Sequence, residues 1–242
     1  MKPFWIALST LTLFPSPIKN WTPKDLRTSL VFYPLIGAGL GSLLGLNRFW
    51  PAPASVQALF GLLSWVLLTF SFHLDGLADC LDGWLGGRTP RQKFKIMKDP
   101  AIGTYGTVGV VLLLLSKYVF LELLFLKPAS WPWLLLIPMI ARWSVGLACF
   151  IHSPRSKYKG LASALFGFSP LFFVLSCLFL IPGFFWRPWP ALAALAFTVG
   201  FNFFWTFLSR RQIGDLTGDG LGALIELTET GLLMIASLGL FD

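Results

Sequence analysis

Apolar residues run along this chain in blocks of roughly twenty, divided by short stretches rich in proline, glycine and charge. A block of that length matches the roughly 20 residues that a helix needs to cross a bilayer. The pattern predicts spans near residues 30–49, 54–72, 100–126, 133–151, 161–181, 191–208 and 221–240. The expected fold is all-α: a polytopic helical membrane protein with about seven spans, residues 1–242 forming a single integral membrane domain. Pro51 and Pro53 mark one turn, Pro128 and Pro132 another, and Pro170 a kink in the fifth block. Thr89-Pro90 and Asp99-Pro100 each read as a cap followed by proline at the first helical position. They predict a short basic helix over 90–98 and the start of the third span. In the first span Gly37, Gly41 and Gly45 stand four apart, a spacing that favours close helix packing. The apolar run from Phe4 to Phe14 is short, lacks a small-residue cleavage site and is expected to lie along the interface.

Composition agrees with a bilayer setting. The chain is 55% hydrophobic and 12% charged, with mean hydropathy +0.72. An ordinary soluble domain carries about 25% charged residues. Three cysteines, with no C-x-x-C, suggest neither a disulfide framework nor a zinc site. The net charge of +8 is explained by basic loops and an anionic small substrate rather than by nucleic acid. Alternate loops carry thirteen Lys and Arg, including Lys24, the 88–98 run, Arg155, Lys157, Lys159, Arg210 and Arg211; the opposite loops carry only Arg48, Lys127 and Arg187. The positive-inside rule therefore places the first set in the cytoplasm, in a multi-pass protein of the inner (cytoplasmic) membrane.

The charge concentrates between His73 and Gly106, where Asp75, Asp79, Asp82 and Asp99 stand with Arg88, Arg91, Lys93, Lys95 and Lys98. At about 100° per helical residue, Asp75, Asp79 and Asp82 fall within roughly 60° of one another. Three like charges on one stripe need a counter-ion, and hard oxygen ligands suit Mg²⁺ or Mn²⁺. A second acidic set, Asp215, Asp219 and Glu226, also falls on one helical face and on the same side of the membrane. Antiparallel packing of the second and last spans would set Asp79 near Asp219 and Asp75 near Glu226. Acids around a divalent ion beside basic residues suit phosphoryl or pyrophosphate chemistry. Within the spans, Lys117, Glu122 and Arg142 are costly and face the bundle interior, either as a Glu122–Arg142 ion pair or as an anion site. His73 and His152, at span ends, read as interfacial residues.

Two families share features of these motifs. The stripe Asp75-Gly-Leu-Ala-Asp79 resembles the CDP-alcohol phosphotransferases, but Asp82 follows too early for their longer signature. HLDGLADCLDG at 73–83, IMKDPAIGTYG at 96–106 and LTGDGLGALIE at 216–226 are closer to the hallmark segments of the cobalamin synthase (adenosylcobinamide-GDP ribazoletransferase) family, in that family's order. The resemblance covers nearly the whole chain; Asp215 departs from it, where glycine is expected. It implies transfer of the adenosylcobinamide-phosphate group of adenosylcobinamide-GDP to α-ribazole or α-ribazole 5′-phosphate, with Mg²⁺ as cofactor and release of GMP. Asp75, Asp79, Asp82, Asp219 and Glu226 are then the expected metal ligands, and Asp82, taken as the most exposed, is the expected general base beside Asp79. Arg91, Lys93, Lys95 and Lys98, with Gly103, Thr104 and Tyr105 of the second segment, are the expected substrate-binding residues. A lipid head-group phosphotransferase and a metal-ion transporter are the alternatives; an oligomer is compatible with all three.

Overall fold

The computed structural model describes residues 1–127, 131–152 and 160–240. The turn at Pro128 and the basic loop of Arg155, Lys157 and Lys159 lie outside the described residues. The chain folds into twelve described helices, and among the described residues there is no strand. They are α1 (Lys2–Leu11), α2 (Pro23–Ser29), α3 (Tyr33–Leu46), α4 (Ala54–Leu68), α5 (Phe72–Gly86), α6 (Pro90–Ile96), α7 (Thr104–Phe125), α8 (Trp131–Ile151), α9 (Pro170–Cys177), α10 (Ile181–Trp186), α11 (Pro188–Ile213) and α12 (Gly218–Leu238).

Among the described residues, five stretches are long and apolar enough to cross a membrane: Pro23–Phe49, Thr104–Phe125, Trp131–Ile151, Pro188–Ile213 and Gly218–Leu238. Helices α4 and α5 together would make a sixth, but the axis turns by 85° between them. Two of the seven expected spans are therefore altered. The second is broken at Phe70 and Ser71, both left-handed at φ 52° and 57°. That conformation brings Cβ close to the backbone, so no helix continues through it. The fifth block is cut into two short helices, α9 and α10, joined by a 3₁₀ turn at Leu178–Leu180. Pro170 and Pro182 each stand at the start of one of these helices, where a missing N–H costs nothing. Helix α1 packs Ile6, Ala7 and Leu11 into the core.

Helix α8 is the centre of the bundle, with sixteen of its residues buried. Pro138 inside it has no N–H, so the carbonyl of Leu134 loses its donor one turn on. The backbone of α3 fills that place. A Cβ on Gly41 would overlap the Leu134 carbonyl, and one on Gly37 would overlap that of Pro138, whereas Gly39 and Gly45 face open space. Two of the three glycines in the expected packing row thus make the contact. We predict that Gly41→Val lowers the melting temperature of the detergent-solubilised protein, by an overpacking cost of about 1–3 kcal/mol. Gly45→Ala should leave it unchanged. Equal melting of the two variants would remove Gly41 from the α3–α8 contact.

Candidate active site

The two acidic motifs meet where α5 crosses α12. A Cβ on Gly76 would lie 2.8 Å from the Asp219 carbonyl, and one on Gly222 would lie 3.3 Å from the Cα of His73, so two glycines let the backbones touch. The charge neighbours of Asp79 are Asp219, Asp75 and Asp82, with Lys98 as the opposing cation. Lys98 Nζ donates to Asp219 Oδ2 at 2.7 Å. Asp75 is exposed and Asp79 half-buried. The expected approach of Asp79 to Asp219 is therefore present.

Asp82 occupies a different setting. It is buried, and its carboxylate accepts from Gly103 N at 2.7 Å and Gly106 N at 2.8 Å. Those amides belong to the first turn of α7, whose N-cap, Gly103, has no side chain to satisfy them. A carboxylate there also meets the positive end of the helix dipole. Asp82 is thus the most enclosed of the three acids rather than the most exposed, and its two oxygens hold α7 in place. Helix α7 starts at Thr104, not at Asp99-Pro100, because Asp99 Oδ1 instead accepts from Ala101 N at 3.0 Å in a turn of its own. Thr104 and Tyr105 follow this cap, with Tyr105 exposed.

The basic helix forms as its sequence predicts: Thr89 caps α6, accepting from Gln92 N. Its residues divide between two jobs. Arg91, Phe94, Lys95, Lys98, Asp99 and Pro100 line an open basic pocket of about 660 Å³. Lys93 points away from it, donating to Gln212 and packing over Gly83 and Gly87. A larger cavity of about 1160 Å³ lies alongside, and the two share Phe94 and Lys98. Drug-sized ligands occupy roughly 300–1000 Å³, so this cavity suits a larger substrate or two groups at once. His73 and Asp219 stand on its wall.

Glu226 does not join the acid cluster. It is buried with Lys117, whose Nζ lies 2.6 Å from Glu226 Oε2 and also bonds Glu229; Arg142 pairs with Glu229. Lys117 also sits 4.6 Å above the Trp65 ring. This quartet of two acids and two bases ties α7, α8 and α12 together. The expected Glu122–Arg142 pair is replaced by Glu229–Arg142. Asp215 precedes α12 and accepts from Leu216 N, so it does not share the helical face of Asp219. His73, read from the sequence as interfacial, is buried in the cavity wall, and its Nδ1 has no partner among the described residues. Its place next to Asp75 was the one available signal.

The donor set fits a hard divalent cation in chemistry. Asp75, Asp79 and Asp219 bring oxygen ligands from two touching helices, and the Lys98 ammonium stands on Asp219 where a cation would. As the side chains stand, no group of three or more His, Cys, Asp or Glu among the described residues is already gathered to hold an ion.

The chain matches the cobalamin-5-phosphate synthase family over residues 3–237. An adenosylcobinamide-GDP ribazoletransferase of Pseudomonas syringae pv. syringae (strain B728a) is 39% identical over 251 residues, covering 98% of this chain and 100% of the relative. One of Pseudomonas putida (strain F1) is 38% identical, covering 99% and 100%. One of Acinetobacter baumannii is 34% identical, covering 96% of each chain. No solved structure matches.

Proposed function

The chain belongs to the cobalamin-5-phosphate synthase family, and on that premise we propose how its residues carry out the transfer. The protein moves the adenosylcobinamide-phosphate group of adenosylcobinamide-GDP to α-ribazole or α-ribazole 5′-phosphate and releases GMP. The observation that carries this reading is the Asp79–Asp75–Asp219 cluster, with Lys98 at the junction of the basic pocket and the large cavity. Arg91, Lys95 and Lys98 bind the anionic pyrophosphate in the basic pocket and offset charge on departing GMP. Asp75, Asp79 and Asp219 would hold Mg²⁺, which supplies charge neutralisation at the phosphates. Asp79 accepts the proton of the attacking hydroxyl. Asp82 keeps α7 fixed beside them. The thirteen-to-three bias of loop Lys and Arg supports an active site facing the cytoplasm.

One experiment tests chemistry and orientation together. Sealed inside-out membrane vesicles given adenosylcobinamide-GDP, α-ribazole and Mg²⁺ should release GMP, and right-side-out vesicles should not. EDTA should stop the release and added Mg²⁺ should restore it. Release of CMP from a CDP-alcohol without any GMP would overturn the transfer, and activity confined to right-side-out vesicles would overturn the orientation.

A further inference from the structure

We propose that the large cavity is the acceptor subsite: its apolar end encloses the flat aromatic base of α-ribazole, and His73 holds the ribose facing the Lys98–Asp219 pair. The inference rests on the ribazole-transfer reading above.

The cavity has two chemically different ends. Along α12 its wall is formed by Asp219, Gly222 and Ile225. At 1.5 Å per residue these positions descend about 9 Å from the charged end toward the core. The lining also includes Leu26, Tyr33, Val145, Leu165 and Phe166, all buried. Among its polar atoms are the Tyr33 hydroxyl and Thr10 Oγ1, 3.3 Å apart. An apolar wall with few polar groups suits a planar aromatic ring system.

His73 meets α12 at Gly222, between Asp219 and Ile225. It belongs to the cavity lining, and only 6% of the residue is exposed. Nδ1 is shut off from bulk water and from the cavity alike, so Nε2 is the ring nitrogen left to meet a bound molecule. A ribose hydroxyl, both donor and acceptor, can bond that nitrogen in either tautomer. The donor substrate demands the opposite surroundings. Its pyrophosphate is anionic, and the basic groups lie on the other side of Phe94 and Lys98 in the neighbouring pocket. Two substrates placed this way bring the reacting phosphorus to the shared wall. There a ribose hydroxyl oxygen forms the new P–O bond and the P–O bond to GMP breaks. The electron pair leaves with GMP, and the hydroxyl proton passes to Asp79.

Acceptor selectivity tests this in the detergent-solubilised, full-length protein. With saturating donor and Mg²⁺, KM is measured for the α-ribosides of imidazole, benzimidazole and a ring-extended tricyclic base. Leu165→Trp should shorten the slot, raising KM for the bicyclic acceptor at least tenfold. KM for the imidazole riboside and for the donor should stay within twofold. His73→Ala should raise KM for every acceptor at least tenfold with donor KM unchanged, and His73→Asn should recover part of the loss. A second measurement does not depend on the tryptophan variant folding. In a Ser163→Cys variant, whose residue lines the cavity, α-ribazole alone should slow alkylation and guanosine diphosphate should not. Protection by guanosine diphosphate but not α-ribazole, or a Leu165→Trp effect on donor KM alone, overturns the subsite. Absence of GMP release by the wild type with any acceptor overturns the transfer reading instead.

Discussion

Asp79→Asn is expected to lower the rate of GMP release at least a hundredfold, about 2.7 kcal/mol of barrier. The amide keeps the shape of the side chain and removes the charge that a divalent cation and a departing proton both need. Stability should hold or rise. Asp79 stands against Asp219, Asp75 and Asp82, so neutralising it relieves repulsion. Asp82→Asn gives the contrast, because its carboxylate ties two amides of α7 and its loss should lower the melting temperature along with the rate. The measurements are GMP release and thermal unfolding of both variants in the same detergent. An Asp79→Asn protein that kept more than a tenth of the wild-type rate would falsify the assignment of this carboxylate.

The second large effect belongs to the buried quartet. Arg142 is fully buried, and replacing it by leucine leaves Glu229 with Lys117 alone to share between two carboxylates. Breaking a buried pair by removing one partner costs about 3–5 kcal/mol, because the remaining charge is uncompensated. The double variant Arg142→Leu with Glu229→Leu restores balance, with Lys117 facing Glu226, and should recover most of that loss. Thermal unfolding of wild type, single and double variants measures it. A double variant no more stable than the Arg142→Leu single would show that the pair holds nothing together.

These residues also mark how far the sequence could be read. The apolar blocks fixed most of the spans, because hydrophobic length is a local property. The break at Phe70 and Ser71 carries neither glycine nor proline, so nothing local announces an 85° turn. The acidic stripe was legible as a face but not as a set of partners. Asp82 bonds amides 21 and 24 residues away, and only the packing of α5 on α7 decides that. Glu226 illustrates a second limit. Helical angle puts it in line with Asp219, yet seven residues are about 10 Å of depth. That depth carries it from the acid cluster to Lys117. Arg142 had Glu122, Glu226 and Glu229 within the apolar spans to choose from, and the packing of α12 on α8 selected Glu229. His73 needed the cavity to be seen before its isolation meant anything.

Helix α5 carries its rule about length inside itself. Gly76 lets the Asp219 backbone approach, and Asp82, six residues on, holds the amides of Gly103 and Gly106. Each residue added or removed between these two positions turns one against the other by about 100° about the helix axis. An insertion there would keep one contact and lose the other. The link of three residues from Thr69 to Ser71 is not helical, so a change of length in it imposes no such rotation on α5.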